Sequence, residues 1–223
     1  FFYMFNFIEI GIRGGISVIT KKYAAANNKF LQSYDKNLPL SNIIYLDCVN
    51  LYGASVIQAM PCGGFHWITP NQFLKETAKN LPKDISYFVE VDLDYPSCLH
   101  NLHNDYPFCT ESMTINYSLL SPEQRAMTIG KFSIVNKLVP NLLDKTNYGM
   151  HYKNLKQAVD AALILRNVHR VLKFNQSQWM AGYINLNTKR RAVATTEFEK
   201  NFFKLMNNSV FGKTMENIKK KRI

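Results

Sequence analysis

Ile43-Ile44-Tyr45-Leu46-Asp47-Cys48-Val49-Asn50-Leu51-Tyr52-Gly53 is the stretch on which the reading of this chain turns. Four aliphatic, aromatic or β-branched residues run straight into an acid. Such a run predicts a buried strand ending at Asp47. The chain then turns through Asn50 and Gly53. A carboxylate at a strand terminus is held rigidly and still reaches solvent, which suits a hard cation such as Mg²⁺ with its octahedral oxygen shell. An ordinary turn Asp that bonds its own backbone accounts for the same residues. A second stretch, far downstream, separates the two readings.

That second stretch begins at Thr195-Thr196-Glu197-Phe198-Glu199, which predicts a helix start with acids in the first turn. Gly212 is expected to end or bend the helix. Lys200, Lys204, Asn208 and Phe211 are spaced i, i+4, i+8 and i+11, so they share one face. Two cations, an amide and an aromatic ring suit a triphosphate with its base. An exposed basic stripe on a surface helix is the plainer alternative. Thr188-Lys189-Arg190-Arg191, just ahead, is a basic cluster. Gly212-Lys213-Thr214 resembles the tail of a P-loop, but the earlier glycine would fall at Asn207, so that reading is discarded.

Charge points the same way. Residues 1–150 hold 12 Lys+Arg against 12 Asp+Glu, whereas residues 151–223 hold 15 against 4, so the entire +11 lies in the last third. A solvated basic face is the bland explanation; a polyanion partner, nucleic acid or nucleotide phosphate, fits the asymmetry better. The basic residues do not trace one amphipathic helix, which argues against a membrane surface. No apolar run approaches the roughly 18–20 residues of a membrane span, and the N-terminus lacks a signal-peptide pattern. A hydrophobic content of 47% over 223 residues predicts a globular chain of one large or two small domains. The start at Phe1-Phe2-Tyr3 and the close at Lys219-Lys220-Lys221-Arg222-Ile223 read as a piece of a longer protein.

Cys48, Cys62, Cys98 and Cys109 form no C-x-x-C pair, which disfavours a structural zinc site and a disulfide framework and predicts reduced, intracellular thiols. His100 and His103, with Asp92, Asp94 and Asp105, make either a metal cluster or a polar loop, and the loop is preferred because no ligand spacing is specific.

The remaining segments are read in order. Arg13-Gly14-Gly15 is a tight turn or a place where a backbone or phosphate comes close. Residues 20–40 predict a helix fragment and a polar loop. Ala54–Met60 predicts a short helix stopped by Pro61 and Gly63-Gly64, and 65–68 a strand. Thr69-Pro70 predicts a helix start running to about Asn80. Residues 85–96 predict an edge strand with Asp92 and Asp94 on its exposed face. Residues 97–147 read as loop-rich. Asn154–Leu165 predicts a helix with Leu155, Val159, Ala162 and Leu163 inward, and 168–174 a half-buried strand.

The two opening stretches meet in one family. Lys204-Leu205-Met206-Asn207-Asn208-Ser209-Val210-Phe211-Gly212 resembles the Lys-x-x-x-Asn-Ser-x-Tyr-Gly signature of family B DNA polymerases. Asp47-Cys48-Val49-Asn50-Leu51-Tyr52-Gly53 resembles the family's first catalytic motif, Asp-x-x-x-Leu-Tyr-Pro. Ile12-Arg13-Gly14-Gly15 is similar to the Tyr-x-Gly-Gly motif that precedes it in the protein-primed branch of viruses, linear plasmids and Maverick/Polinton transposons. The three occur in the family's order. Ile12, Gly53 and Phe211 depart from the pattern without removing a charge. The Asp-Thr-Asp motif that supplies a second metal-binding carboxylate does not occur before Ile223.

The resemblance implies an α+β palm on an antiparallel sheet with helical fingers. Residues 1–59 would begin the palm, 60–150 would be a loop-rich insertion meeting the priming protein, 151–179 the palm's return and 180–223 the fingers. It implies two Mg²⁺ ions, with Asp47 bridging them and the Cys48 carbonyl joining the coordination. Lys204 would hold the triphosphate, with Lys200 and Arg190 or Arg191 sharing its charge. Asn208 would line the nucleotide pocket beside Leu51, and Tyr52 would lie under the sugar and exclude a 2′-hydroxyl. Arg13, Gly14, Gly15, Ser209, Phe211 and Gly212 would face DNA. The implied partners are primer–template DNA, deoxynucleoside triphosphates and a protein primer, with no membrane. With Asp47 alone the two-metal site should not assemble, so the chain is expected to bind weakly and not to polymerise by itself. A catalytically lapsed nucleic-acid-binding relic of a mobile element is the alternative. An RNA polymerase or reverse transcriptase is disfavoured by Tyr52 together with the Lys204 helix.

Overall fold

A computed structural model describes residues 2–21, 23–79, 81–128 and 134–212. It is a mixed α+β structure. In chain order the elements are α1 (Phe2–Ile10), α2 (Leu51–Val56), β1 (Met60–Ile68), α3 (Pro70–Thr77), β2 (Ile85–Asp94), α4 (His100–His103), β3 (Glu111–Ile115), α5 (Pro122–Met127), β4 (Val135–Val139), β5 (Lys145–His151), α6 (Tyr152–Asp160), β6 (Ile164–Ser177), α7 (Ala181–Val193) and α8 (Glu197–Phe211). Four strands form a sheet in the order β1-β6-β2-β5, and β3 pairs with β4 separately. The chain divides into two compact units: Phe1–Ile43, Trp67–Lys79 and Tyr87–Lys173 form one, and Ile44–His66, Asn80–Ser86 and Phe174–Ile223 the other.

The first unit is built on β2. Val89, Val91 and Leu93 are fully buried on one face, with Tyr87. Phe88 on the other face meets Phe7 of α1 at 5.2 Å between ring centroids. β2 lies between β6 and β5, so both its faces and both its edges are covered. This corrects the edge-strand expectation. The acids of β2 are answered by β6: Arg170 forks onto Glu90 at 2.7 and 2.8 Å, His169 reaches Asp92 at 2.9 Å, and Arg166 stands 3.2 Å from Asp94. The antiparallel pairing with β5 slips between Val91 and Leu93. There Asn147 takes a left-handed φ of 49° and its N–H donates to Asp92 at 2.8 Å. The backbone N–H of Asn147, then Asn167 and His169, hold the Asp92 carboxyl down at about 2.

Helix boundaries follow their caps. α3 starts where Thr69-Pro70 predicts; Thr69 and Gln72 close a reciprocal capping box on it and the helix ends at Thr77, while the expected end near Asn80 lies outside the described residues. α6 starts two residues earlier than expected and stops at Asp160, because Ala162 turns left-handed at φ 71°. Its buried face is Leu155 and Ala158, while Val159 is exposed. β1 absorbs Pro61, Gly63 and Gly64, which were expected to stop a helix. Gly64, at φ 67°, lies so close to Asn175 that a Cβ would come within 2.6 Å of its amide. Residues 20–40 contain no helix among the described residues. Asn27 organises them instead, donating to the carbonyls of Asp35, Leu38 and Pro39 and pairing with Ser41.

The largest departure is at the opening stretch. Residues 42–48 form no strand, and Ile44, Tyr45 and Leu46 are 74%, 93% and 85% exposed. A β-prone run becomes a strand only where a neighbour supplies the ladder. Among the described residues none pairs with it. No helix is long and apolar enough to cross a membrane among the described residues.

Candidate functional site

The second unit contains a cavity of about 600 Å³. One wall is the run Asp47–Tyr52; the other is α8, through Lys204, Asn207, Asn208 and Phe211, with Arg191 from α7. Thr196 caps α8 in a reciprocal box with Glu199, which sets the helix phase that aims these side chains. α7 and α8 are joined where the Tyr183 hydroxyl donates to the Met206 carbonyl at 3.1 Å and the Asn207 amide to Thr188 at 3.3 Å.

The Asp47–Tyr52 wall is shaped by Asn50. It takes a left-handed φ of 55° and its side chain accepts from the Gly53 N–H at 3.2 Å. A Cβ on Gly53 would fall 2.2 Å from the Asn50 amide. A proline here, as the resembling motif has, would also lack the N–H that Asn50 binds. Gly53 and Asn50 therefore form one local device. It carries Tyr52 into near-parallel stacking on Phe211, with centroids 4.8 Å apart and planes 21° apart.

Among the described residues the charges lining the cavity are one carboxylate, Asp47, and two cations, Arg191 and Lys204. None of the three makes a hydrogen bond or ion pair among the described residues. Unanswered charges of both signs in one cavity suit a ligand that carries both, such as a cation-bearing polyphosphate. A single carboxylate, completed by phosphate oxygens and water, fits one Mg²⁺ delivered with a triphosphate. Among the described residues no group of three or more His, Cys, Asp or Glu gathers to hold a metal.

Of the residues singled out in the sequence, Asp47, Cys48, Leu51, Tyr52, Arg191, Lys204, Asn208 and Phe211 line this cavity. Lys200 does not; its ammonium is engaged by Glu197 at 3.0 Å. Arg190 does not either, and its guanidinium lies 6.0 Å over the Phe203 ring. Ser209 donates to the Met206 carbonyl within its own helix, and Gly212 caps that helix through Asn208. The P-loop-like Lys213 and Thr214 and the closing basic run lie outside the described residues. Asn207 escaped the sequence reading. It is 5% exposed, lines the cavity and keeps a buried Oδ1 that finds no hydrogen-bond partner among the described residues. Its only sequence signal was its place beside Asn208.

Arg13, Gly14 and Gly15 belong to the first unit. Arg13 donates to the Gly149 carbonyl at 2.8 Å and lies 3.9 Å over the Tyr148 ring, beside a cavity of about 330 Å³. Among the described residues no atom comes within 4 Å of where a Cβ would sit on Gly14 or Gly15, and neither has positive φ, so none of them makes a close backbone approach there. His103 bonds the Tyr95 hydroxyl at 2.9 Å and His100 the Tyr95 carbonyl at 3.3 Å. The four cysteines are free thiols. No family profile, curated protein or solved structure matches this chain.

Proposed function

We propose that this chain carries part of the nucleotide site of a DNA-directed DNA polymerase of family B, protein-primed branch. Such an enzyme adds deoxynucleotides to a primer 3′-hydroxyl. The supporting observation is convergence: two motifs read separately from the sequence, around Asp47 and around Lys204, line one cavity in the second unit. Lys204 and Arg191 meet the phosphates as uncompensated cations. Asp47 anchors the Mg²⁺ that arrives with them. Tyr52, stacked on Phe211, offers its ring to the sugar, so that a 2′-hydroxyl is refused. Asn208 lies beside Lys204 on the same helix face and contacts the bound nucleotide. The palm reading of the antiparallel sheet belongs to the same proposal.

A second reading, a nucleic-acid-binding relic with lapsed chemistry, is favoured by one observation: among the described residues Asp47 is the sole carboxylate lining the cavity. An in-frame Asp-Thr-Asp beyond Ile223 separates the two. The direct test of the site is binding of a fluorescent deoxynucleoside triphosphate to the chain with and without Mg²⁺. A charged hydrogen bond contributes about 1.5–3 kcal/mol, so Lys204→Ala should weaken binding by roughly 10- to 150-fold. Asp47→Asn should remove the Mg²⁺ dependence. Primer extension by these 223 residues alone is expected to be absent. Unchanged affinity in both variants would sink the proposal, and so would Mg²⁺-dependent extension that survives Asp47→Asn.

A further inference from the structure

Arg190 was expected at the phosphates and instead begins a line of aromatic rings. Its guanidinium lies 6.0 Å over Phe203. Phe203 meets Phe202 edge-on, with centroids 5.4 Å apart and planes at 75°. Phe202 in turn faces Phe198, with centroids 6.5 Å apart and planes only 19° from parallel. Phe198 and Phe202 are 79% and 45% exposed, and Leu205 continues their stripe along α8. On a helical wheel this stripe falls roughly 100–160° around α8 from Lys204, outside the sector that lines the cavity.

Leaving Phe198 largely and Phe202 nearly half exposed costs hydrophobic stabilisation, so exposed paired phenylalanines on a capped helix call for an occupant. We propose that the Arg190–Phe203–Phe202–Phe198 line is a stacking platform for single-stranded nucleic acid, separate from the nucleotide cavity. Three observations carry it. Phe198 and Phe202 lie within 19° of parallel on one exposed stripe, so both rings are open to an incoming base. Cations stand at the Arg190 end: Lys189 is exposed with no hydrogen bond or ion pair among the described residues, and Arg190 offers its charge beside the rings. Of the acids near Phe198, Glu197 is already paired with Lys200 at 3.0 Å, while Glu199 holds the Thr196 cap and keeps its charge. Aromatic faces flanked by cations take any base, because every base has a π face.

The test is fluorescence anisotropy of a labelled oligothymidylate on the full chain, measured across a salt series. The double variant Phe198→Ala/Phe202→Ala should weaken binding about tenfold or more at fixed salt and leave the salt slope unchanged. Arg190→Ala should lower the slope by about 0.7. Phe202→Trp should keep the affinity. Duplex DNA, whose base faces are already stacked, should not notice the phenylalanine pair. Both rings are exposed, so the variants keep their fold, and circular dichroism checks this. Wild-type affinity in the double variant would overturn the platform and leave the stripe as a protein-docking face. No binding of the oligonucleotide by the wild type, or equal losses on duplex and single strand, would overturn it too. The inference does not rest on the cavity: loss of deoxynucleotide binding in Lys204→Ala, unaltered in the phenylalanine pair, tests that reading separately.

Discussion

Lys145 is the most demanding buried group in the first unit. It sits on β5 opposite Leu93, fully buried. Its ammonium meets Glu111 at 2.8 Å and also the side-chain carbonyl of Asn141, while the Asn141 amide donates to the same Glu111 oxygen at 3.0 Å. Glu111→Gln preserves shape and deletes the balancing charge. The ammonium is then buried without a carboxylate, which costs about 3–5 kcal/mol. For a chain of this size each kcal/mol moves the melting temperature by roughly 2–4 °C, so Glu111→Gln should lower it by about 10 °C. The reverse variant, Lys145→Met, leaves Glu111 with a side chain still 30% exposed, which water can reach. Its cost should be nearer 1–2 kcal/mol. Lys145→Met/Glu111→Gln should therefore recover most of the loss of Glu111→Gln, giving a large coupling in the double-mutant cycle. Calorimetry of the four proteins decides the matter. A shift within about 1 °C for Glu111→Gln, or additive losses in the double variant, would refute the claim that this ammonium depends on its carboxylate.

Two further outcomes follow from the geometry. Phe211→Ala removes the ring on which Tyr52 stacks at 4.8 Å, a contact worth about 0.5–1.5 kcal/mol. Discrimination between deoxy- and ribonucleotides in competition binding should fall by roughly 2- to 12-fold, and Phe211→Tyr should restore it; unchanged discrimination would remove the Tyr52 ring from the sugar. Acid should loosen the first unit in two stages. Burial, and then the charge of Lys153, hold the His151 imidazole down at about 4, below its ordinary 6.5. Its folded form resists protonation, so its contribution is complete above pH 6.5 and is lost as pH falls towards 4. His151→Asn keeps an acceptor for the Lys153 N–H and should flatten the melting temperature over that window. Asp92, held at about 2, contributes above its ordinary 3.8 and loses that contribution as pH falls through 2. A melting temperature that does not move between pH 6.5 and 4 would contradict the burial of His151.

Local chemistry was legible in the sequence wherever a few neighbouring residues settle the matter. Thr69 with Gln72, and Thr196 with Glu199, announce their helices because a capping box is satisfied within four residues. The same phase put Lys204, Asn208 and Phe211 on one face, and the structure turns that face to a cavity. Pairing was not legible. Ile43–Leu46 has the composition of a buried strand yet lies exposed, and 85–94, taken for an edge, became the centre of the sheet, because strand identity depends on partners distant in the chain. Spacing along α8 does set Glu197 one turn from Lys200, an i,i+3 pair that the sequence reading left unused, but it could not say that Arg190 would turn to Phe203. The sequence by itself determined the caps, the charge asymmetry and the two motifs, all properties of near neighbours. Only the tertiary structure decided which charges were left unanswered, since neutralisation is settled by whatever folds alongside.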